Sequence, residues 1–529
     1  RVSEVIIFDI YITDLAKAQV YTYLAVKYGI TLTNDLNNNA STGDLISGSV
    51  TEGDYVLSDG SSIAWDFSAN SAYHNGVAGI GRDDDACLNQ KQSGNETNGS
   101  IVSIGLGSVA STNSANGNNF TTDKDFLVWG HDGTAASTTH STDVPGTITE
   151  RLSRIWKVQE SGTVGNTQVQ FDITGLGLSG NATDFQLMIS PNNVMANATT
   201  IVGGTLNGNI LTFNNIDFND GDFFGLGVDR TTCGPGGVTT SLGLWLRADV
   251  GTNTSTDGAD VTSWIDQSAS LNNATVETAG GLSPVNPLFV AENINFNPTI
   301  RFTNSENTNN AWLETASNGA TGNLSIISVF NTGHNDGAAS DATNSPALIS
   351  TVGTSNNQEW VLGVGQGRLY VNATTNNDYN VRPVTDYADN VARIATATRV
   401  QAASGAINLF VNSANVGTGT SVATALSGEP NIGIGNHSDY DIDAQFDGDI
   451  AETIVFNQVL SETDRARVES YLAVKYGITR EISGLSEAAE DYLAADGGII
   501  WNIDNQGVTY HNDIFGIGRD DNACFIQEK

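Results

Sequence analysis

The nine residues Tyr23-Leu24-Ala25-Val26-Lys27-Tyr28-Gly29-Ile30-Thr31 return letter for letter as Tyr471 to Thr479, 448 positions later. The flanks return as well. Val5-Ile6-Ile7-Phe8 corresponds to Thr453-Ile454-Val455-Phe456, Gly79-Ile80-Gly81-Arg82-Asp83-Asp84 to Gly516-Ile517-Gly518-Arg519-Asp520-Asp521, and Cys87 to Cys524. A period of that size is about two domains long, so the chain reads as a window on a tandem array. Residues 1–33 are expected to be the last strand and helix of a preceding copy, and 480–529 the start of a following one. Strand residues such as Val5 to Phe8 would be an exposed edge when isolated, and neighbouring copies are expected to complete both ends.

Between the repeated ends, Gly, Asn, Thr and Ser fill the connections, and apolar residues come in short alternating runs. Val169 to Ile173, Leu324 to Phe330 and Ile407 to Val411 are examples; in each, side chains of one parity can face a core. Further strands are expected around Tyr55 to Leu57, Ile101 to Ile104, Phe126 to Trp129, Arg154 to Val158, Phe185 to Ile189 and Phe223 to Leu226. The pattern predicts an all-β protein. The Thr231-Thr232-Cys233-Gly234-Pro235-Gly236-Gly237 stretch divides it into a β-sandwich over 34–232 and a second β domain over 238–479, with 233–237 as a Gly/Pro hinge.

Two stretches read as helix, and they are copies: Asp14 to Tyr28 and Glu462 to Tyr476. In the second, Ser461 can cap the start with Asp464 three residues on. Val468, Tyr471, Leu472 and Tyr476 form one apolar stripe, and Gly477 supplies a left-handed stop. Lys475 is expected to pack its stem along that stripe while its ammonium reaches water, and Arg467 to lie off it.

Lys and Arg number 22 against 59 Asp and Glu, a net charge of −37. Such a surface excludes nucleic acid and anionic lipid, whose recognition needs clustered bases, and no apolar run is long enough to span a bilayer. An acidic surface suits divalent cations, but its plainer reading is a solubility device for a crowded extracellular surface. The densest acidic run holds Asp439, Asp441, Asp443, Asp447 and Asp449, an oxygen cluster of the kind calcium takes; the alternative is a solvated loop in which Asp447 and Asp449 fix a turn. The spacing is not that of an EF-hand, since Ala444 and Ile450 stand at its sixth and twelfth positions.

Three Cys are too few for a disulfide-stapled miniature fold. Cys87 is expected to pair with Cys233, leaving Cys524, the copy of Cys87, to a partner outside the chain; the alternative is separately buried thiols. Arg82, Asp83 and Asp84, with their copies Arg519, Asp520 and Asp521, are expected to hold the loop beside the cysteine through a buried or half-buried Arg–carboxylate pair. His74 and its copy His511 lack a second His or Cys at ligand spacing and are expected to pack or hydrogen-bond. Most of Trp65, Trp129, Trp156, Trp245, Trp264, Trp312 and Trp360, in alternating strands, are expected in cores; sugar-stacking platforms among them are the alternative.

Leu244-Trp245-Leu246-Arg247-Ala248-Asp249, Val261 to Asp266, Asn297 to Phe302, Leu409 to Asn412 and Phe446-Asp447-Gly448-Asp449-Ile450-Ala451-Glu452 together resemble the laminin-G/concanavalin-A-like jelly roll of secreted bacterial proteins. The likeness covers nearly all of 238–479. Residues 34–232, with Leu127-Val128-Trp129-Gly130-His131 and Arg154-Ile155-Trp156-Lys157-Val158, resemble the uncharacterised β domain that alternates with such jelly rolls. These pairs occur in giant surface adhesins of Bacteroidota, gliding-motility proteins among them, exported by type IX secretion. The resemblance implies an extracellular, cell-surface repeat whose partners are its own neighbouring copies, with calcium-dependent polysaccharide binding as the other reading. Jelly rolls include glucanases, but none of the Glu residues from Glu277 to Glu452 has a second Glu two or four positions away, so a retaining carboxylate pair is absent and no enzyme is expected.

Overall fold

A computed structural model describes the chain apart from residues 1, 37–40, 96–100, 147, 179, 181, 232, 278–284, 304–311, 317–321, 336–341, 352–358, 374–378, 427–430, 438–443, 482–490, 504–509 and 528. Two compact units divide it, Arg1–Asp229 and Arg230–Lys529. All strand pairs between the named strands are antiparallel, as expected of an all-β protein.

In the first unit the run Phe126–His131 explains the layering. It pairs with Asn75–Asp83 on one side and Trp156–Ser161 on the other, in a nine-stranded sheet. Its alternate side chains serve two cores. Leu127 and Trp129 face a five-stranded sheet that includes Val102–Leu106, Thr167–Asp172 and Ile210–Ile216, and they join Trp156, Val169, Phe171 and Phe224 in the sandwich interior. Phe126 and Val128 point the other way. They join Tyr55, Trp65, Leu88, Ala25 and Val26, the last two on helix α1 (Asp14–Tyr28). A strand buried on both faces must be apolar without interruption, which Phe-Leu-Val-Trp is. Helix α1, read from the sequence as the close of a preceding jelly roll, is thus one layer of this unit. A single-turn helix α2 (Phe67–Asn70) follows, capped by Asp66.

The second unit is a jelly-roll sandwich. An eight-stranded sheet holds Leu288–Ile294, Asn297–Phe302, Gly448–Phe456, Leu324–Asn331, Arg393–Arg399, Ala406–Val411 and Ala414–Thr420 in that order, with Leu242–Arg247 also on Gly448–Phe456. It faces a seven-stranded sheet that runs from Ser263–Trp264 to Arg368–Asn372, around Leu244, Leu246, Trp264, Trp360, Leu409 and Val455.

Helix α3 (Glu462–Tyr476) lies on the outer face of the eight-stranded sheet. Both long helices keep the boundaries their caps dictate. Thr13 and Ser461 accept from the backbone of Ala16 and Asp464, and Gly29 and Gly477 adopt left-handed φ of 60° and 62°. The expected stripe Val468, Tyr471, Leu472 and Tyr476 is buried.

Residues after α3 repeat the first unit's small hairpins. Tyr492–Leu493 pairs with Ile499–Trp501 as Tyr55–Val56 does with Ile63–Trp65. Gly518–Asp520 pairs with Phe525–Gln527 in the same register as Gly81 to Asp83 with Leu88 to Gln90. The seven tryptophans from Trp65 to Trp360 are all buried, where most were expected to be.

Candidate functional site

Strand alternation along Leu242–Arg247 sends Leu244 and Leu246 into the sandwich and Trp245 and Arg247 to the outer face, toward α3. At the centre of that outer face stands Glu452, fully buried. Its carboxylate accepts hydrogen bonds from Trp245 Nε1 (2.5 Å), Tyr471 Oη (3.0 Å), Tyr476 Oη (2.9 Å) and Lys475 Nζ (2.9 Å). Lys475 Nζ also donates to Asp249 Oδ1 at 2.9 Å. Arg247 donates to both Asp249 oxygens (3.2 and 2.6 Å) and to the Cys524 carbonyl at 3.0 Å.

Two cations and two carboxylates make this knot neutral, which is what allows so many charges to leave water together. Burial works against ionising Asp249, but Arg247 and Lys475 hold its pKa below the usual carboxylate range. Burial first, and the Glu452 and Asp249 charges second, push the Tyr471 and Tyr476 hydroxyls well above the usual phenol range. Lys475 therefore does not send its ammonium to water, as its place in the last turn suggested. Its side chain is 3% exposed, because two acids from the jelly roll meet it there.

A second buried group lies one turn along α3. Arg465 donates to Glu469 (3.1 and 2.9 Å), Thr396 Oγ1 donates to the same carboxylate (2.9 Å), and Arg480 donates to Ser413, Ser470 and the Asp491 carbonyl. It links the sheet, the helix and the first hairpin after it.

The Cys-Gly-Pro-Gly-Gly segment closes the junction. Cys233 is disulfide-bonded to Cys524, with Cα atoms 5.6 Å apart, while Cys87 is a free, exposed thiol. The expected Cys87–Cys233 bond is thus corrected. Cys233 opens the second unit, where the later of the two equivalent hairpins lies against it. Nor is 233–237 an open hinge: Cys233, Gly234, Pro235 and Gly236 are buried. Gly234 N donates to the Asn522 carbonyl (3.1 Å). Gly236, at φ 59°, packs so closely on α3 that a Cβ there would overlap the Arg467 backbone and lie 2.6 Å from Val468 N. Arg467 Nη2 donates to the carbonyls of Gly237 (3.1 Å) and Ala495.

The first unit holds a partial copy of the same constellation. Glu4 accepts from Tyr23 Oη (3.0 Å), Lys27 Nζ (2.9 Å) and Tyr28 Oη (2.9 Å), the residues corresponding to Tyr471, Lys475 and Tyr476. Here Lys27 is 36% exposed. Val5, Ile7 and Phe8 are exposed, but the edge strand expected there is not formed: residues 2–8 are irregular.

Arg82 forks onto Asp84 (2.7 Å for each bond) and Arg519 onto Asp521 (2.6 and 3.1 Å). Arg82, 33% exposed, is half-buried as expected, whereas Asp84 and the Arg519–Asp521 pair are exposed. The buried anchor is Asp83, which accepts from Ser58 N (2.9 Å), Ser58 Oγ (2.5 Å) and Ala86 N (3.3 Å). Its copy Asp520 accepts from Ala495 N (2.7 Å).

His74 accepts from Trp65 Nε1 at 3.1 Å and sits 2.9 Å from the Leu32 carbonyl, a hydrogen-bonding role. His511 lies 2.6 Å from the Arg480 carbonyl. Asp439, Asp441 and Asp443, the candidate calcium ligands, lie outside the described residues. Of their neighbours, Asp449 pairs with Arg301 (2.8 and 3.0 Å).

The sequence offered Trp245, Arg247, Asp249, Glu452 and Lys475 separately, as a core tryptophan, parts of the jelly-roll motifs and a solvated lysine, and did not join them as one knot. The signal was there: Leu-Trp-Leu-Arg-Ala-Asp carries two apolar faces in alternation, one of them ending in charge, which marks a strand covered on both sides.

Among solved structures, the binding domain of botulinum neurotoxin serotype D is similar at 15% identity, over 46% of this chain and 53% of that one, with a TM-score of 0.30. Domain 4 of AbnA, an extracellular arabinanase from Geobacillus stearothermophilus solved with arabinotriose, is similar at 11% identity, over 44% and 99%, with a TM-score of 0.31. The chain thus spans about half the length of the neurotoxin domain it matches. No curated protein matches the chain. Among the described residues no helix is long and apolar enough to cross a membrane. One family profile matches twice, over residues 16–222 and again over 464–529, each match opening inside a long helix. Together the two matches cover more than half of the chain, which belongs to the family described as a domain of unknown function, DUF8202.

Proposed function

We propose that the chain is a structural and adhesive segment of a long extracellular, cell-surface fibre, in which DUF8202 domains and jelly rolls alternate. The observation that carries this reading is the junction at α3. There the opening of one DUF8202 copy is fixed to a jelly roll by a neutral buried ion knot and by a disulfide that spans 291 residues of chain. Such a joint serves stiffness and durability. Disulfides persist in oxidising compartments, which supports an extracellular site, and the net charge of −37 limits adhesion between neighbouring fibres. The resemblance of the paired domains to gliding-motility adhesins of Bacteroidota supports the same reading.

The segment is not an enzyme in this proposal. Glu452, the acid placed most centrally, already accepts hydrogen bonds from four side chains and is fully buried. Electron microscopy of a chain carrying several repeats tests the fibre reading: rods of regular period are expected, and beads on a flexible string would overturn it. Glycan-array binding by the full chain, lost on chelation and on substitution of Asp441 and Asp443, would instead favour a calcium-dependent lectin.

A further inference from the structure

The first unit carries an open groove of about 380 Å³ between α1 and the hairpin that holds Cys87, lined among others by Phe8, Val20, Tyr23, Ser58, Ala86 and Leu88. Each of the last five has its copy in the second unit: Val468, Tyr471, Ala495, Ala523 and Phe525. In that copy the space is partly filled, with about 210 Å³ left open beside Gly236, Tyr471, Ala495 and Phe525. The segment Cys233 to Val238 lies there, with Gly236 against Val468, Gly237 against Ala495 and the disulfide beside Phe525.

The two cysteines are poised alike. Cys87 and Cys524 both adopt left-handed backbone, φ 50° and 48°, and both donate their N–H back to an aspartate carbonyl, Asp84 at 3.1 Å and Asp521 at 3.2 Å. Both follow hairpin strands paired in the same register. The two hairpins thus hold their cysteines in the same conformation.

We propose that the groove beside α1 is the seat of a second copy of the Cys-Gly-Pro-Gly-Gly segment, presented by another jelly roll, and that Cys87 forms a disulfide with the cysteine of that segment. The inference rests on the repeat reading above. This chain's own segment cannot be the occupant, since Cys233 is committed to Cys524. The bond forms when the two thiols give up two protons and two electrons to a disulfide oxidant, which is reduced to two thiols. The arriving jelly roll would also bring counterparts of Trp245, Arg247 and Asp249 to Glu4 and Lys27, completing the partial knot.

The test is an extended chain in which a copy of residues 230–448 is placed directly before Arg1, refolded with oxidised glutathione. Peptide mapping without reduction should find Cys87 joined to the added cysteine, and Cys87 should lose its reaction with maleimide, which the original chain retains. Should Cys87 stay reactive while hydrogen exchange in α1 slows to the level of α3, the disulfide is wrong and the repeat reading stands. Should α1 gain no protection either, both fall. A second measurement does not depend on the extended chain folding. A peptide spanning Arg230 to Leu242, carried as its glutathione mixed disulfide, should transfer to Cys87 of the original chain faster than does the same peptide with Gly236→Ala. Equal rates would overturn the proposed seat.

Discussion

Glu4 and Glu452 stand 448 positions apart and accept hydrogen bonds from the corresponding three side chains, two tyrosines and a lysine, on equivalent helices. They differ in company. Glu452 also has Trp245 and lies beside the Arg247–Asp249 pair, whereas Glu4 has none of these and its lysine is 36% exposed.

Glu452→Gln should therefore destabilise the second unit by about 3–5 kcal/mol, because it leaves Lys475 and its neighbours as buried charge without balance. Glu4→Gln, at a solvent-screened copy, should leave stability unchanged within error. Urea unfolding followed by hydrogen exchange in α3 and α1 separates the two. Equal losses would show that burial is not what distinguishes the sites.

Reducing the Cys233–Cys524 bond, or Cys524→Ser, should lower the stability of the second unit by up to about 5 kcal/mol in the chain-entropy account of so long a loop. Cys87→Ser should have no effect in this chain, since that thiol is free. Calorimetry with and without reductant reads both outcomes.

Gly236→Ala should cost about 1–3 kcal/mol, as an added methyl meets the α3 backbone with nowhere to move. Gly258→Ala provides the control, since its Cβ would meet nothing, although its φ of 73° carries some strain of its own. The ratio of the two chains' unfolding midpoints is the measurement.

Stability should fall at both ends of the pH scale, for different groups. Tyr471 and Tyr476 have raised pKa values in the folded chain, so their contribution is complete below the unfolded phenol value of about 10 and is lost as pH rises beyond it. Asp249 has a lowered value, so its contribution is complete above the unfolded carboxylate value of about 4 and is lost as pH falls below it. In the first unit, burial, aided by Arg154, lowers His131 to about 4, so that unit should weaken as pH drops from about 6.5 toward 4. Thermal melts across pH, with His131→Asn flattening the mild-acid slope, check the assignments.

Much of the fold could be read directly from residues. Ser461 and Gly477 bracket α3 because a side-chain acceptor and a left-handed glycine are local devices that need no partner. Phe126 to Trp129 declared a strand by composition alone. What could not be read was partnership. Lys475 sits where a solvated lysine belongs, and only the arrival of Asp249 and Glu452 from distant strands turns it inward. The cysteines misled for a related reason. Their equivalence was visible, but which unit each hairpin packs in is decided by the α3 contacts, so Cys524, not Cys87, reaches Cys233. Asp439, Asp441 and Asp443 stay a sequence-level expectation.

The Cys233–Cys524 link also sets how the chain would carry a pull. Tension entering before residue 233 and leaving after 524 passes across one sulfur–sulfur bond, between Cα atoms 5.6 Å apart, and the 291-residue stretch it brackets is a side loop outside the load path. The jelly roll could open completely and the strand would lengthen by almost nothing.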